Sequence, residues 1–81
     1  MSEPSNDTRA DWAEKALATF TQQTYFCRSP DELDQGDIGD AIADLICDLM
    51  HYADRQGLAP EQLIDQAVTN HRFEREEEEN N

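Results

Sequence analysis

Aspartates recur at every third or fourth position in the middle of the chain, within the stretch DIGDAIADLICDLMHYADRQG from Asp37 to Gly57. Successive residues of a helix are about 100° apart around its axis, so this spacing places the acids in one narrow stripe. The members of the stripe are Asp37, Asp40, Asp44, Asp48, His51 and Arg55. Carboxylates arranged in this way could dock on a basic protein surface or supply oxygen ligands to Mg²⁺.

The charge pattern around the stripe favours docking. No lysine or arginine lies between Arg28 and Arg55, although that segment contains eight acids. A solvated face that only keeps the chain soluble is the alternative, but solubility is served better by interspersed charges. Like charges four residues apart also weaken a helix. The predicted partner-binding residues are Asp37, Asp40, Asp44, Asp48, His51 and Tyr52.

Tyr52 and Met50 lie at the edge of the apolar face of the same helix, where they fit two roles. Aromatic and methionine side chains are common anchors of protein interfaces. Residues of these types at such positions are more often plain core residues. A pH-sensitive histidine beside an aspartate is the simplest interpretation of His51. No nucleophile lies beside a base in a recognisable motif, so the sequence favours binding over catalysis and predicts no catalytic residue.

Composition limits the chain to one small acidic domain. It has 81 residues, a formal net charge of −13, and only 14 residues of Leu, Ile, Val and Phe. So little apolar surface gives a small core, which favours a homodimer or a partner that supplies the missing part. The negative charge is repelled by nucleic acid backbones and by anionic membranes. We therefore expect a basic protein partner, and neither direct nucleic acid binding nor membrane binding.

The cysteines and the chain start indicate a reduced setting. Cys27 and Cys47 have neither metal-ligand spacing nor a C-x-x-C neighbour, and no secretory signal follows MSEPSND. We expect a cytoplasmic protein in which both cysteines are small, buried or half-buried residues. No apolar run approaches the roughly 18 residues of a membrane span.

Apolar spacing predicts an all-α fold, a small bundle of two long antiparallel helices and a shorter third helix. The first helix is predicted over about 9–27, with Thr8 as its cap, and ends before Pro30. Ser29, Pro30 and Glu32 predict one short turn that Gly36 breaks. The second helix is predicted over about 38–56, capped by Asp37 and closed by Gly57. The third is predicted over about 60–73, and its apolar face includes His71.

The chain ends are predicted to be disordered. Residues 1–7 are nearly all polar, and residues 74–81 form an acidic tail without apolar partners. The single helical domain is therefore predicted over residues 8–73. Within the second helix, apolar residues cover about half of the circumference, a face wide enough to contact two neighbours.

The segment DAIADLICDLMHYADRQGLAPEQLIDQAVTNH resembles the second half of the MazG-like all-alpha nucleoside triphosphate pyrophosphohydrolases. The resemblance implies a helical bundle, usually dimeric, in which E-x-x-E and E-x-x-D pairs hold Mg²⁺ for attack on a nucleotide's phosphate chain. Aligned on ADRQG, Asp44 matches the last acid of E-x-x-D, whereas Ala41 stands where its partner acid belongs. On this alternative Asp11, Glu14, Asp44 and Asp48 would be the metal ligands.

Three functions are thus open from the sequence. The first is a small acidic interaction protein, an inhibitor or regulator that presents its aspartates to a basic partner and needs no cofactor. The second is a degenerate MazG-like domain that uses Mg²⁺. The third is a structural oligomerisation subunit whose acids only keep it soluble.

Overall fold

The computed structural model describes residues 4–25 and 27–79, which form three helices and one short turn. The elements are α1 (Asn6–Thr24), a 3₁₀ turn (Pro30–Glu32), α2 (Gln35–Arg55) and α3 (Pro60–Glu79). This part of the chain contains no strand, and the predicted all-α helical bundle is confirmed. Residues 1–3 and 80–81, where disorder was predicted, lie outside the described residues.

Helix α1 begins and ends three residues before the predicted bounds. Ser5 is the N-cap, and its Oγ accepts a hydrogen bond from the Thr8 N–H at 3.1 Å. Thr8 is thus the third residue of the helix, and the predicted cap was wrong because the better-placed Ser5 precedes it. At the other end the chain leaves the helix at Tyr25, and Cys27 adopts a left-handed φ of 61°. The position of Pro30 alone could not predict that the helix ends this early.

The predicted short turn is confirmed around Ser29. Pro30 occupies its first position, and the Ser29 hydroxyl donates to Glu32 Oε1 at 2.9 Å. The turn places Leu33 in the core.

Helix α2 begins earlier than predicted and is unbroken. Its cap is Asp34, whose Oδ1 accepts from the Asp37 N–H at 2.8 Å. Gly36 therefore lies inside the first turn instead of breaking the chain, because a side-chain cap stabilises the turn around it. The predicted left-handed Gly57 is confirmed, with φ 76°. The N–H groups of Gly57 and Leu58 donate to the carbonyls of Asp54 (3.0 Å) and Ala53 (2.9 Å), as in a Schellman motif.

Helix α3 begins at Pro60 as predicted but continues to Glu79, so it is not the shorter helix. The predicted tail is helical over residues 74–79 because it has partners on α1. The Asn6 N–H donates to Glu78 Oε2 at 2.6 Å, and Arg9 Nε lies 3.4 Å from Glu74 Oε2. Glutamate and arginine are also good helix formers.

The core is small and lies where α1, the 3₁₀ turn and α2 meet. Leu17, Leu33 and Ala41 form one buried cluster, and Ala53 is buried near the end of α2. Four half-buried side chains pack around the cluster: Phe20, Tyr25, Ile38 and Leu45. Thr21 is fully buried, with its hydroxyl donating to the Ala18 carbonyl at 3.2 Å. Most of the remaining apolar side chains stay in contact with solvent.

Candidate functional site: the acidic flank and the groove of α2

The four aspartates of the stripe lie along one side of the unbroken α2, and we call Asp37, Asp40, Asp44 and Asp48 the acidic flank. Asp37 is half-buried and the other three are exposed, as is His51 at the end of the same side. A single helical register therefore aligns the carboxylates about 5.5 Å apart along the axis. The arrangement presents a row of negative charge to solvent.

No basic side chain neutralises this flank within the described residues. The ion pairs of that part of the chain are Arg9–Glu74 and Arg75–Glu79, both away from α2. Arg55, the last member of the stripe, instead lies over the Tyr52 ring, with its guanidinium carbon 5.2 Å from the ring centroid. The flank thus keeps its charge available to a partner.

Tyr25 is the residue of this site that the sequence analysis missed. Its hydroxyl donates to Asp44 Oδ2 at 2.6 Å, linking the end of α1 to the flank. That hydrogen bond, together with partial burial and the charges of Asp44, Asp40 and Asp37, raises the pKa of Tyr25 to about 12. The one available signal was its position near the end of the first predicted helix. The bond fixes the orientation of the Asp44 carboxylate.

Tyr52 lies between the flank and the apolar face. It is 52% exposed, so it is not a core residue, whereas Met50 is half-buried. An exposed aromatic ring beside charged groups can anchor an interface. The structure thus places Tyr52 on the surface with Arg55 over its ring, and the anchoring role stays a prediction.

Helix α2 contacts two neighbours, α1 and α3, as the width of its apolar face predicted, but part of that face stays exposed. Ile42, Ile46 and Leu49 are 46%, 43% and 57% exposed. They line one wall of an open groove of about 570 Å³ between α1, the 3₁₀ turn and α2. The groove residues of α2 are Ile38, Ile42, Leu45, Ile46 and Leu49.

The opposite wall of the groove has small side chains. On α1 it consists of Ala10, Ala13, Glu14 and Leu17, and the 3₁₀ turn adds Pro30 and Asp31. Ala10 and Ala13 are exposed, because no bulky side chain among residues 4–25 and 27–79 fills the space between the two helices. The groove stays open because the core is small, as the composition predicted.

The metal-ligand set implied by the MazG-like resemblance is not assembled. Within residues 4–25 and 27–79, no group of three or more His, Cys, Asp or Glu side chains is placed to hold a metal ion. Glu14 lines the groove, whereas Asp44 accepts from Tyr25. The alternative ligands Asp11, Glu14, Asp44 and Asp48 therefore do not converge in this chain.

The cysteines and the second histidine are also placed differently from expectation. Cys27 and Cys47 are both free and exposed, so their predicted burial was wrong. Cys27 lies in the turn after α1, and Cys47 lies on the side of α2 away from the groove, where no helix covers it. His71 is exposed as well.

Comparison with known proteins found no family model, no curated protein and no solved structure that matches this chain. The MazG-like resemblance accordingly stays a prediction. Among the described helices, none combines the length and the apolar character that crossing a bilayer requires.

Proposed function

We propose that this chain is a small acidic interaction protein, an inhibitor or regulator that docks the acidic flank of α2 on a basic surface of a partner protein. The observation behind the proposal is a row of four carboxylates on one unbroken helix, three of them exposed, with no flank residue in an ion pair of the described residues. We further propose a cytoplasmic setting, on the cysteine pattern alone.

Electrostatics explains why a basic protein is the fitting partner. A net charge of −13 attracts cationic surfaces over a distance of about 10 Å at moderate salt, which raises association rates. Anionic phosphates of nucleic acids or lipids are repelled by the same field. Specific docking then requires apolar contacts, and Tyr52 lies exposed about 40° around the helix from Asp48.

A structural subunit is the second candidate, because the exposed groove side chains could be covered by another copy. The matching prediction is a dimer whose association does not depend on salt, which sedimentation measures. The MazG-like alternative makes a separate prediction: Mg²⁺-dependent release of pyrophosphate from a nucleotide. Our proposal expects no release and no shift of the melting temperature with Mg²⁺.

Charge reversal on the flank tests the proposed function. We choose Asp40→Lys with Asp48→Lys, because Asp44 is held by Tyr25 and its replacement would also disturb α1. The matched control is Glu61→Lys with Asp65→Lys, two exposed acids of α3 that change the net charge equally. The tagged proteins are used to capture partners from native lysate at low and at moderate salt.

We expect a partner that the original chain and the α3 control both retain, that the flank variant loses, and that added salt weakens. Equal capture by the flank variant would reject docking through the flank. Equal loss in both variants would show that only overall charge matters, and would reject it too.

A further inference from the structure

Within residues 4–25 and 27–79 no element covers the groove between α1 and α2, although it is apolar along about three turns of α2. Its α2 wall runs from Ile38 to Leu49, about 16 Å along the axis. The wall residues recur at spacings of three and four, the pattern against which a second helix packs its own side chains. A groove of this length and pattern fits an amphipathic helix of about three turns.

The charges at the groove decide what kind of helix fits. The two charged residues that line it, Glu14 and Asp31, are both acidic. The structure describes all six lysine and arginine residues of the chain, and none of them lines the groove. A second copy would bring another net charge of −13 and the same acidic residues. A helix with basic edges meets opposite charge instead.

Asp48, the last aspartate of the acidic flank, lies near the Leu49 end of the groove without lining it. Asp48 lies about 60° around the helix from the groove residue Leu45, and Tyr52 lies about 20° from it. A helix that packs on Leu45 and Leu49 therefore passes beside an exposed carboxylate and an exposed aromatic ring. Basic side chains along its edge would reach Asp48 on one side and Glu14 or Asp31 on the other.

We infer that the groove between α1 and α2 binds an amphipathic helix with basic edges, contributed by the partner protein. The inference rests on the proposed function and specifies how that partner is held: apolar side chains fill the groove, while lysines or arginines contact its acidic border. The bound helix would be the fourth helix of the bundle.

The probe is a synthetic helical peptide with leucines at positions i, i+3, i+4 and i+7 and lysines beside them. Two comparison peptides are used: one with glutamates in place of the lysines, and one of identical composition whose scrambled order has no apolar face. Binding of each peptide to the full chain is measured by titration calorimetry. Sedimentation of the chain alone reports self-association.

The diagnostic variant is Leu49→Asp, at the most exposed of the large apolar residues of the groove, and its control is Val68→Asp. Val68 is 49% exposed on α3, and the two substitutions change the charge equally. Leu49→Ser is a second groove variant without added charge. Circular dichroism establishes that each variant keeps the helical content of the original chain.

We expect the lysine peptide to bind the original chain and Val68→Asp alike, and to bind each groove variant at least about tenfold more weakly, as for the loss of one buried leucine. Equal binding of the glutamate peptide would overturn the inference. So would self-association abolished by Leu49→Asp, because a second copy would then occupy the groove.

The remaining outcomes separate the inference from the proposed function. If the scrambled peptide binds as tightly as the amphipathic one, and only the flank variant Asp40→Lys with Asp48→Lys weakens it, the groove inference fails while flank docking stands. If neither cationic peptide binds, both fail.

Discussion

Tyr25 shows how a single residue ties the small core to the acidic flank. The sequence placed it on the first helix, but the chain leaves α1 at Tyr25 and directs its hydroxyl to Asp44. A phenol that donates to a carboxylate keeps its proton, because ionisation would bring two negative oxygens together. The contact between Tyr25 and the flank can therefore be detected by titration, through the raised pKa of Tyr25.

Absorbance titration should find Tyr25 ionising with a pKa of about 12 instead of the ordinary 10.0. The variant Tyr52→Phe leaves Tyr25 as the remaining tyrosine. Since the folded pKa is raised, this contribution to stability is complete below pH 10 and is lost as the pH rises towards 12. Asp44→Asn should move the midpoint back towards 10.0. An unchanged midpoint in Asp44→Asn would reject the hydrogen bond.

Ala41 sets how closely α1 approaches α2, since it is fully buried in the cluster with Leu17 and Leu33. Ala41→Leu should lower the free energy of unfolding by about 1–3 kcal/mol, because a larger side chain forces the helices apart. Urea denaturation measures the change. Ala43→Leu, on an exposed position of the same helix, should have little effect. Equal effects at both positions would contradict the described packing.

Some helix ends are determined by residues next to them in the sequence, and others by contacts with residues far along the chain. Ser29 with Pro30, Gly57, and Pro60 each impose a backbone geometry on their own neighbours, and the sequence located all of them. The helical end of α3 could not be found this way. It depends on Asn6 and Arg9, more than sixty residues away in the chain.

Two glycines should respond to alanine with opposite signs. Gly57 has φ 76°, so Gly57→Ala should destabilise the chain by roughly 1–2 kcal/mol. Gly39 lies within α2 with open space around it, so Gly39→Ala should stabilise the chain by about 0.5–1 kcal/mol. Urea denaturation of each variant measures its change in the free energy of unfolding. A gain of stability in Gly57→Ala would show that the α2 to α3 turn is wrongly described, and a loss of stability in Gly39→Ala would contradict the open space around Gly39.

At the scale of the whole molecule, the helices contact each other without closing a core along α2. The sequence predicted the shortage of apolar residues and the all-α fold. It could not predict which side chains would stay exposed, because helical periodicity identifies an apolar face but not the neighbour that covers it. The alanines of α1 are what leave Ile42, Ile46 and Leu49 open.

Because the groove is open, removing an apolar side chain from it should destabilise the isolated chain less than removing one from the buried cluster. Leu49→Ser should lower the free energy of unfolding by only about 1 kcal/mol, because more than half of Leu49 is already exposed. Leu17→Ala, in the buried cluster, should cost about 2–5 kcal/mol. Denaturation of both variants at low protein concentration compares their changes in the free energy of unfolding. A cost for Leu49→Ser similar to that for Leu17→Ala would show that the groove is covered in solution.

Isoleucine methyl NMR tests the central claim, that α2 is the docking element, most directly. The chain has four isoleucines: Ile38, Ile42 and Ile46 line the groove, and Ile64 lies on α3. On titration with the lysine-edged amphipathic peptide, the account predicts shifts of the three groove methyls and an unmoved Ile64 signal, reversed by added salt. Equal shifts of all four methyls, or none, would contradict it.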